Sequence, residues 1–160
     1  MRIGIVSDTH NHLANCARIV DLFNHADVAR VVHTGDITQA KTLHALSGLE
    51  APVYGVFGNN DLERGSLEAA CEALEFTIVD PPLRITWAHR SIVVVHDPLD
   101  LDGLDCGYEV ALHGHDHRRR IERANGALWV NPGESAGHLQ GHNAIGVLDL
   151  ATLDVDILEF

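Results

Sequence analysis

The sequence predicts an α/β fold of two packed β-sheets with helices outside, and three observations carry that expectation. In the first half, short β-branched runs alternate with segments whose apolar residues recur at helical spacing, the pattern of a partly parallel sheet with crossover helices. In the second half, strand-like runs follow one another with short breaks, the pattern of mainly antiparallel pairing. Five polar clusters each follow a strand-like run: Asp8-Thr9-His10, Gly35-Asp36, Gly58-Asn59-Asn60-Asp61, His96 and Gly114-His115-Asp116-His117.

The elements follow in order. Residues 3–6 form a buried strand, and residues 13–23 a helix with Leu13, Ala17, Val20, Leu22 and Phe23 at helical spacing. Residues 30–33 are a second strand, 41–46 a short helix, 52–57 a third strand, and 66–74 a helix with Ser66 as its N-cap. Residues 84–87, 91–95 and 109–112 are strand-like. Asn125-Gly126, the strongest short hairpin signal, separates strands at 119–124 and 127–130. Residues 144–148 and 153–158 form a terminal hairpin. Ile3, Ile5, Val31, Val53, Val93, Val95 and Val110 belong to the core.

Composition narrows the function classes. A chain of 160 residues that is 46% hydrophobic suits one folded domain rather than a disordered segment. Its longest apolar runs fall far short of the ~18 residues of a membrane span, and residues 1–8 enter a strand with no signal-peptide pattern. A soluble, cytoplasmic protein is the expectation. The net charge of −12, with one lysine and ten arginines, argues against non-specific binding of nucleic acid or anionic membrane. Cys16, Cys71 and Cys106 are too few and too scattered for a disulfide framework or zinc knuckle, and are expected to be free thiols.

Taken singly, the polar clusters have plain alternatives. Asp8 can cap a helix, Gly35-Asp36 and Gly58-Asn59 can be turns, and a lone histidine such as His96 is usually a satisfied core residue. Asp8 and His10, like His115 and His117, are two residues apart and would share one side of an extended backbone. Jointly the clusters say more. Carboxylate, imidazole and amide ligands at the ends of successive strands converge on one rim, where α/β sheets bind ligands. The lack of thiolates favours harder or borderline divalent cations.

In this order, D-x-H, G-D, G-N-x-D, H and G-H-x-H, the clusters resemble the calcineurin-like metallophosphoesterases over essentially the whole chain. The Ser7-Asp8-Thr9-His10 start, Gly58-Asn59-Asn60-Asp61 and a later Asn131-Pro132-Gly133 resemble the small YfcE-like phosphodiesterase branch. The resemblance implies a four-layer α/β/β/α sandwich of two mixed sheets, a single domain over 1–160 without a cap, and a two-metal centre. Asp8, His10, Asp36 and His117 would hold one metal. Asp36, Asn59, His96 and His115 would hold the other, with Asp36 as the bridge. Mn²⁺ is expected first, with Fe, Zn²⁺, Co²⁺ or Ni²⁺ as alternatives. The implied reaction is hydrolysis of a small phosphate ester, foremost a diester, by in-line attack of a metal-bridging hydroxide.

Two departures from the family pattern bear on substrate. Many members carry a leaving-group histidine after the motif Asn; here the position is Asn60, which is no acid near neutral pH. His12 is weighed as a substitute proton donor, against the plainer reading as a surface histidine. Asp97 follows His96 where the family usually has Gly. Asp97 and Asp116 are weighed as acceptors for a ligand imidazole N–H, His33 and His113 as packing residues, Asn131-Pro132-Gly133 as a structural turn, and Arg118-Arg119-Arg120 as a solvated face. The competing class is an interaction scaffold that keeps the fold with little chemistry. The missing histidine permits it and the complete ligand set argues against it. Nothing in the pattern decides self-association, and a homo-oligomer stays open.

Overall fold

The computed structural model describes residues 1–105, 107–138 and 141–160. Strands β1 (Arg2–Val6), β2 (Arg30–His33), β3 (Val53–Val56) and β4 (Thr77–Val79) run parallel in that spatial order. Helices α1 (Leu13–His25), α2 (Ala40–Ala45) and α3 (Arg64–Leu74) make the three connections. Because the strands step in one direction, right-handed crossovers place all three helices on one face. On the other side of β1, β10 (Ala144–Asp149) and β11 (Val155–Glu159) add antiparallel, completing six strands.

The second sheet has the order β5 (Leu83–Trp87), β6 (Arg90–Val94), β7 (Val110–Leu112), β9 (Ala127–Asn131) and β8 (Arg120–Ala124). Its edges are antiparallel hairpins, and Asn125-Gly126 turns one of them with both residues at positive φ. Its centre corrects the sequence reading: β6, β7 and β9 are mutually parallel, so the sheet is mixed rather than mainly antiparallel.

Side-chain alternation explains the layers. Ile3, Ile5, Val32, Val56, Ile92, Val94, Val110, Leu112, Leu128 and Val130 point into the space between the sheets. The residues between them point outward. Val6, Val31 and Val53 pack on Cys16, Ile19 and Phe23 of α1. Gly4 is required here, because a Cβ would meet the Phe23 ring at 2.5–2.9 Å. Leu43, Leu67, Ala70 and Cys71 of α2 and α3 cover Phe57 and Ile78. On the far side, Val93, Val95, Ala111 and Trp129 are covered by Leu101 of a single 3-10 turn, Pro98–Leu101, and by the chain around Leu104 and Tyr108. The expected fourth layer is therefore one short turn among the described residues. No helix is long and apolar enough to cross a membrane among those residues.

Two local readings need correction, while the free thiols expected at Cys16 and Cys71 are found. Ser66 lies inside α3, which begins at Arg64 after Glu63. β4, short and half exposed, had no expected counterpart. Cys16 and Cys71 are buried free thiols, each pushed up to about 11 by burial, while Cys106 lies outside the described residues.

Candidate metal centre

Parallel strands deliver their following loops to one rim, and both sheets do so here. The loops after β1, β2 and β3 carry Asp8, Asp36 and Asn59; those after β6 and β7 carry His96 and His115. Backbone hydrogen bonds fasten them together. Asp8 N donates to Gly35 O (3.1 Å), His10 N to Asp36 O (3.1 Å), Gly114 N to His96 O (3.0 Å) and Ser135 N to Asp8 O (3.3 Å). Asp61 adds a buried clasp: its carboxylate accepts from Asp36 N (3.1 Å), Gly58 N (2.6 Å) and Thr38 N (2.6 Å).

The structure brings the seven expected residues together in two adjoining groups. In the first, His117 Nε2 lies 3.4 Å and His10 Nε2 3.8 Å from Asp8 Oδ1, and His10 Nε2 lies 3.4 Å from Asp36 Oδ2. In the second, His96 Nε2 lies 3.4 Å from Asp36 Oδ1 and 2.9 Å from Asn59 Oδ1, and His115 Nδ1 lies 3.0 Å from Asn59 Oδ1 and 3.2 Å from His96 Nε2. The two oxygens of Asp36 thus face different groups. The parity argument from extended backbone does not hold, since Asp8, His10, His115 and His117 all have positive φ. Tight left-handed turns converge the side chains instead.

The donor inventory fits divalent cations. Asp8 Oδ2 accepts from Ser7 Oγ and His115 N, but Asp8 Oδ1 and His10 Nε2 are buried with no hydrogen-bond partner. Such orphaned groups are costly unless something satisfies them. His96 donates Nδ1–H to Thr34 O (2.9 Å), so in its neutral form Nε2 presents a lone pair toward Asn59 Oδ1 and Asp36 Oδ1, both acceptors. Lone pairs aimed at one another are what a cation resolves. Asp8 and Asp36 are 0% and 1% exposed, so two carboxylates are buried side by side.

The shifts follow from this packing. Burial raises the Asp8 carboxyl, opposed by Ser7. Burial would also raise Asp36, but His96 and two hydrogen bonds from Asn60, N–H at 2.9 Å and Nδ2 at 2.7 Å, hold it well below the usual carboxylate range. Burial lowers His10 against the pull of both carboxylates. For His96 burial also acts downward, and Asp36 outweighs it, leaving the imidazole raised.

The neighbouring residues sort as follows. Asn60 orients the Asp36 carboxylate. His12 is the N-cap of α1, with Nδ1 accepting from Asn15 N (3.2 Å), and its ring lies where a Cβ on Gly137 would sit. His33 is buried: Gly35 N donates to its Nδ1, so Nε2–H donates to Thr9 Oγ1 (3.1 Å), and burial pushes its pKa down to about 3. His113 packs edge-on against Trp129. Asn131 fastens the histidine loop, donating to Gly114 O (3.1 Å) and Asp116 Oδ1 (2.7 Å). Asp116 therefore serves the loop, while Asp97 Oδ2 stands 3.6 Å from His115 Nε2. Arg119 and Arg120 pair with Glu159 and Glu122 on the surface. Beside Asn59, His96 and His115 a groove opens, walled by Phe57, Arg64, Asp97 and Asp100.

Comparison with known proteins bears on this arrangement. The family model of the calcineurin-like phosphoesterase superfamily domain matches residues 1–153. The chain belongs to that superfamily. It is 33% identical over 154 residues to a protein of Methanocaldococcus jannaschii named as a phosphodiesterase, covering 93% of each chain. An archaeal phosphodiesterase structure superposes with a TM-score of 0.90 at 31% identity, covering all of both chains. The phosphoesterase YfcE of E. coli follows at 0.76 and 20%, covering 99% of this chain and 98% of that one. Vps29 of Chaetomium thermophilum shares the fold at 0.71 and 15%, covering 100% and 95%. The superfamily is one of metal-dependent phosphoesterases, and the chain is accordingly an enzyme of the hydrolase class.

Two residues at the centre escaped the sequence reading: Glu134 and His138. Glu134 is buried in the turn after β9, with Oε2 3.0 Å from His117 Nδ1 and 3.5 Å from His138 Nδ1. His138 stacks on the His117 ring (5.2 Å, 5°). The signal was the parallel pairing of β9, which sends its following turn to the same rim as the loop after β7.

Proposed function

We propose that the protein is a two-metal phosphodiesterase acting on small phosphate esters by in-line displacement. Asp8, His10, Asp36 and His117 would hold one cation, and Asp36, Asn59, His96 and His115 the other. The observation that carries this reading is the Asp36 carboxylate, with Oδ2 facing His10 and Oδ1 facing His96. Bound cations supply a water of lowered pKa and neutralise phosphoryl oxygens. The chain holds the Asp36 oxygens in place through Asn60, keeps His96 oriented through Thr34 O, and offers the groove beside Asn59 for the ester group. Mn²⁺ leads the proposed metals, with Fe, Zn²⁺, Co²⁺ and Ni²⁺ as alternatives. Relatives named as phosphodiesterases support the diester as substrate.

The test is hydrolysis of bis-p-nitrophenyl phosphate with added Mn²⁺, compared with the EDTA-treated protein. Activity restored by Mn²⁺ supports the proposal, and none under any of these five cations refutes it. Asn60 is spent on Asp36 and is no acid, and His12 is engaged as a helix cap. Turnover should therefore fall steeply as the leaving group becomes more basic. A rate independent of leaving-group pKa across aryl and alkyl esters would show that a proton donor operates. His12→Asn, whose Oδ1 can replace Nδ1 as the cap acceptor, is expected to leave that dependence intact.

A second prediction concerns protons. With no cation, Asp36 raises His96 and so favours a proton on the imidazole between Asp36 and Asn59. Metal must displace it, so affinity should rise with pH until His96 is neutral and then level off. Titration calorimetry in buffers of different ionisation enthalpy should show proton release on binding near neutral pH; an enthalpy independent of buffer would contradict this. An interaction scaffold would have no need of paired buried carboxylates with an orphaned oxygen, and the enzyme reading is preferred for that reason.

A further inference from the structure

Glu134 stands out because a carboxylate 1% exposed is expensive unless it has work to do. Its Oε2 lies 3.0 Å from His117 Nδ1, within hydrogen-bond reach, and 3.5 Å from His138 Nδ1. With the carboxylate as acceptor of this bond, the His117 proton sits on Nδ1. The neutral ring then presents the Nε2 lone pair toward Asp8 Oδ1, 3.4 Å away. His138 stacks in parallel on the ring at 5.2 Å, and His10 lies tilted at 5.2 Å, so neighbouring rings restrain its plane as well.

Among the described residues the other side of the centre has no buried carboxylate behind its imidazoles. His96 gives its Nδ1–H to the neutral carbonyl of Thr34, and His115 Nε2 is 3.6 Å from Asp97, which is partly exposed to solvent. Buried anionic support belongs to the Asp8–His10–His117 side. We infer that Glu134 is a positioning residue that fixes the tautomer of His117 and makes the Asp8–His10–His117 side the tighter of the two cation sites. This rests on the two-metal reading of the centre. The rival role, Glu134 and His138 as ligands of a third ion with His117, would strip the proton from Nδ1 and leave one imidazolate between two cations.

The experiment is titration of the metal-free full chain with Zn²⁺, wild type against Glu134→Gln, with bound ions counted by atomic emission. Wild type should take two ions. The variant should take two, one of them about 10–100-fold weaker and the other unchanged. In parallel, long-range ¹H–¹⁵N spectra of the metal-free wild type should show His117 in the Nδ1–H tautomer, before any cation can impose it, which tests the role even if the variant does not fold. Equal affinities in the two proteins, an unprotonated Nδ1, or a third ion lost in the variant would each overturn the role of Glu134 and leave the two-metal reading standing. No ion bound by wild type would overturn that reading and this inference with it.

Discussion

Asp36→Asn should reduce kcat/KM on bis-p-nitrophenyl phosphate by about 10³-fold or more, ~4 kcal/mol of transition-state stabilisation. Asp36 is the side chain whose two oxygens face the two ligand groups, at 3.4 Å from His10 Nε2 and 3.4 Å from His96 Nε2. The amide keeps the shape but loses the charge and one acceptor. Its new N–H₂ must also face either a histidine group or the Asn60 donors, which already supply both hydrogen bonds to the carboxylate. Steady-state kinetics at saturating Mn²⁺ checks this, with far-ultraviolet dichroism to confirm folding. A folded variant within tenfold of wild type would remove Asp36 from its proposed role.

Gly114→Ala should be nearly as damaging, by a different route. A Cβ at this position would overlap Ser7 Oγ and lie 2.7 Å from Asp8 Oδ2 and 3.0 Å from Thr34 Oγ1. These atoms form a buried chain, with Thr34 donating to Ser7 (2.6 Å) and Ser7 to Asp8. The methyl has no flexible tip to push aside, so the loop carrying His115 and His117 must lift or Asp8 must turn. Overpacking of this kind costs about 1–3 kcal/mol of stability, and an ångström of misplacement at a reacting centre costs about 10²-fold in rate. Urea unfolding and metal titration of the variant should both register the change. Unaltered metal affinity would mean the loop has freedom that the packing denies.

Much of this was legible in the sequence for physical reasons. The expected core residues are all buried, Ile3, Ile5 and Val110 between the sheets and Val31, Val53, Val93 and Val95 on the sheets' outer faces, because β-branched runs show that a strand is buried but not which face each residue takes. The ligands read out because polar residues directly after β-branched runs must lie at strand ends. What failed was information carried by pairing rather than by local pattern. β6, β7 and β9 look like hairpin strands, since short apolar runs have the same appearance in parallel and antiparallel partners. That misreading hid Glu134, whose place at the rim depends on β9 being parallel to β7. β4 was invisible because only Ile78 of its three residues is buried. The turns at Asp8, His10, His115 and His117 defeat strand parity, because a left-handed residue redirects the side chain that follows from neither helix nor strand spacing.

The central claim is that one carboxylate joins two cation sites. Anomalous diffraction from crystals soaked in Mn²⁺ tests it most directly. Two peaks are expected, one among Asp8, His10 and His117 and one among Asn59, His96 and His115, with Asp36 touching both. A single peak, or two peaks of which only one contacts Asp36, would contradict the account.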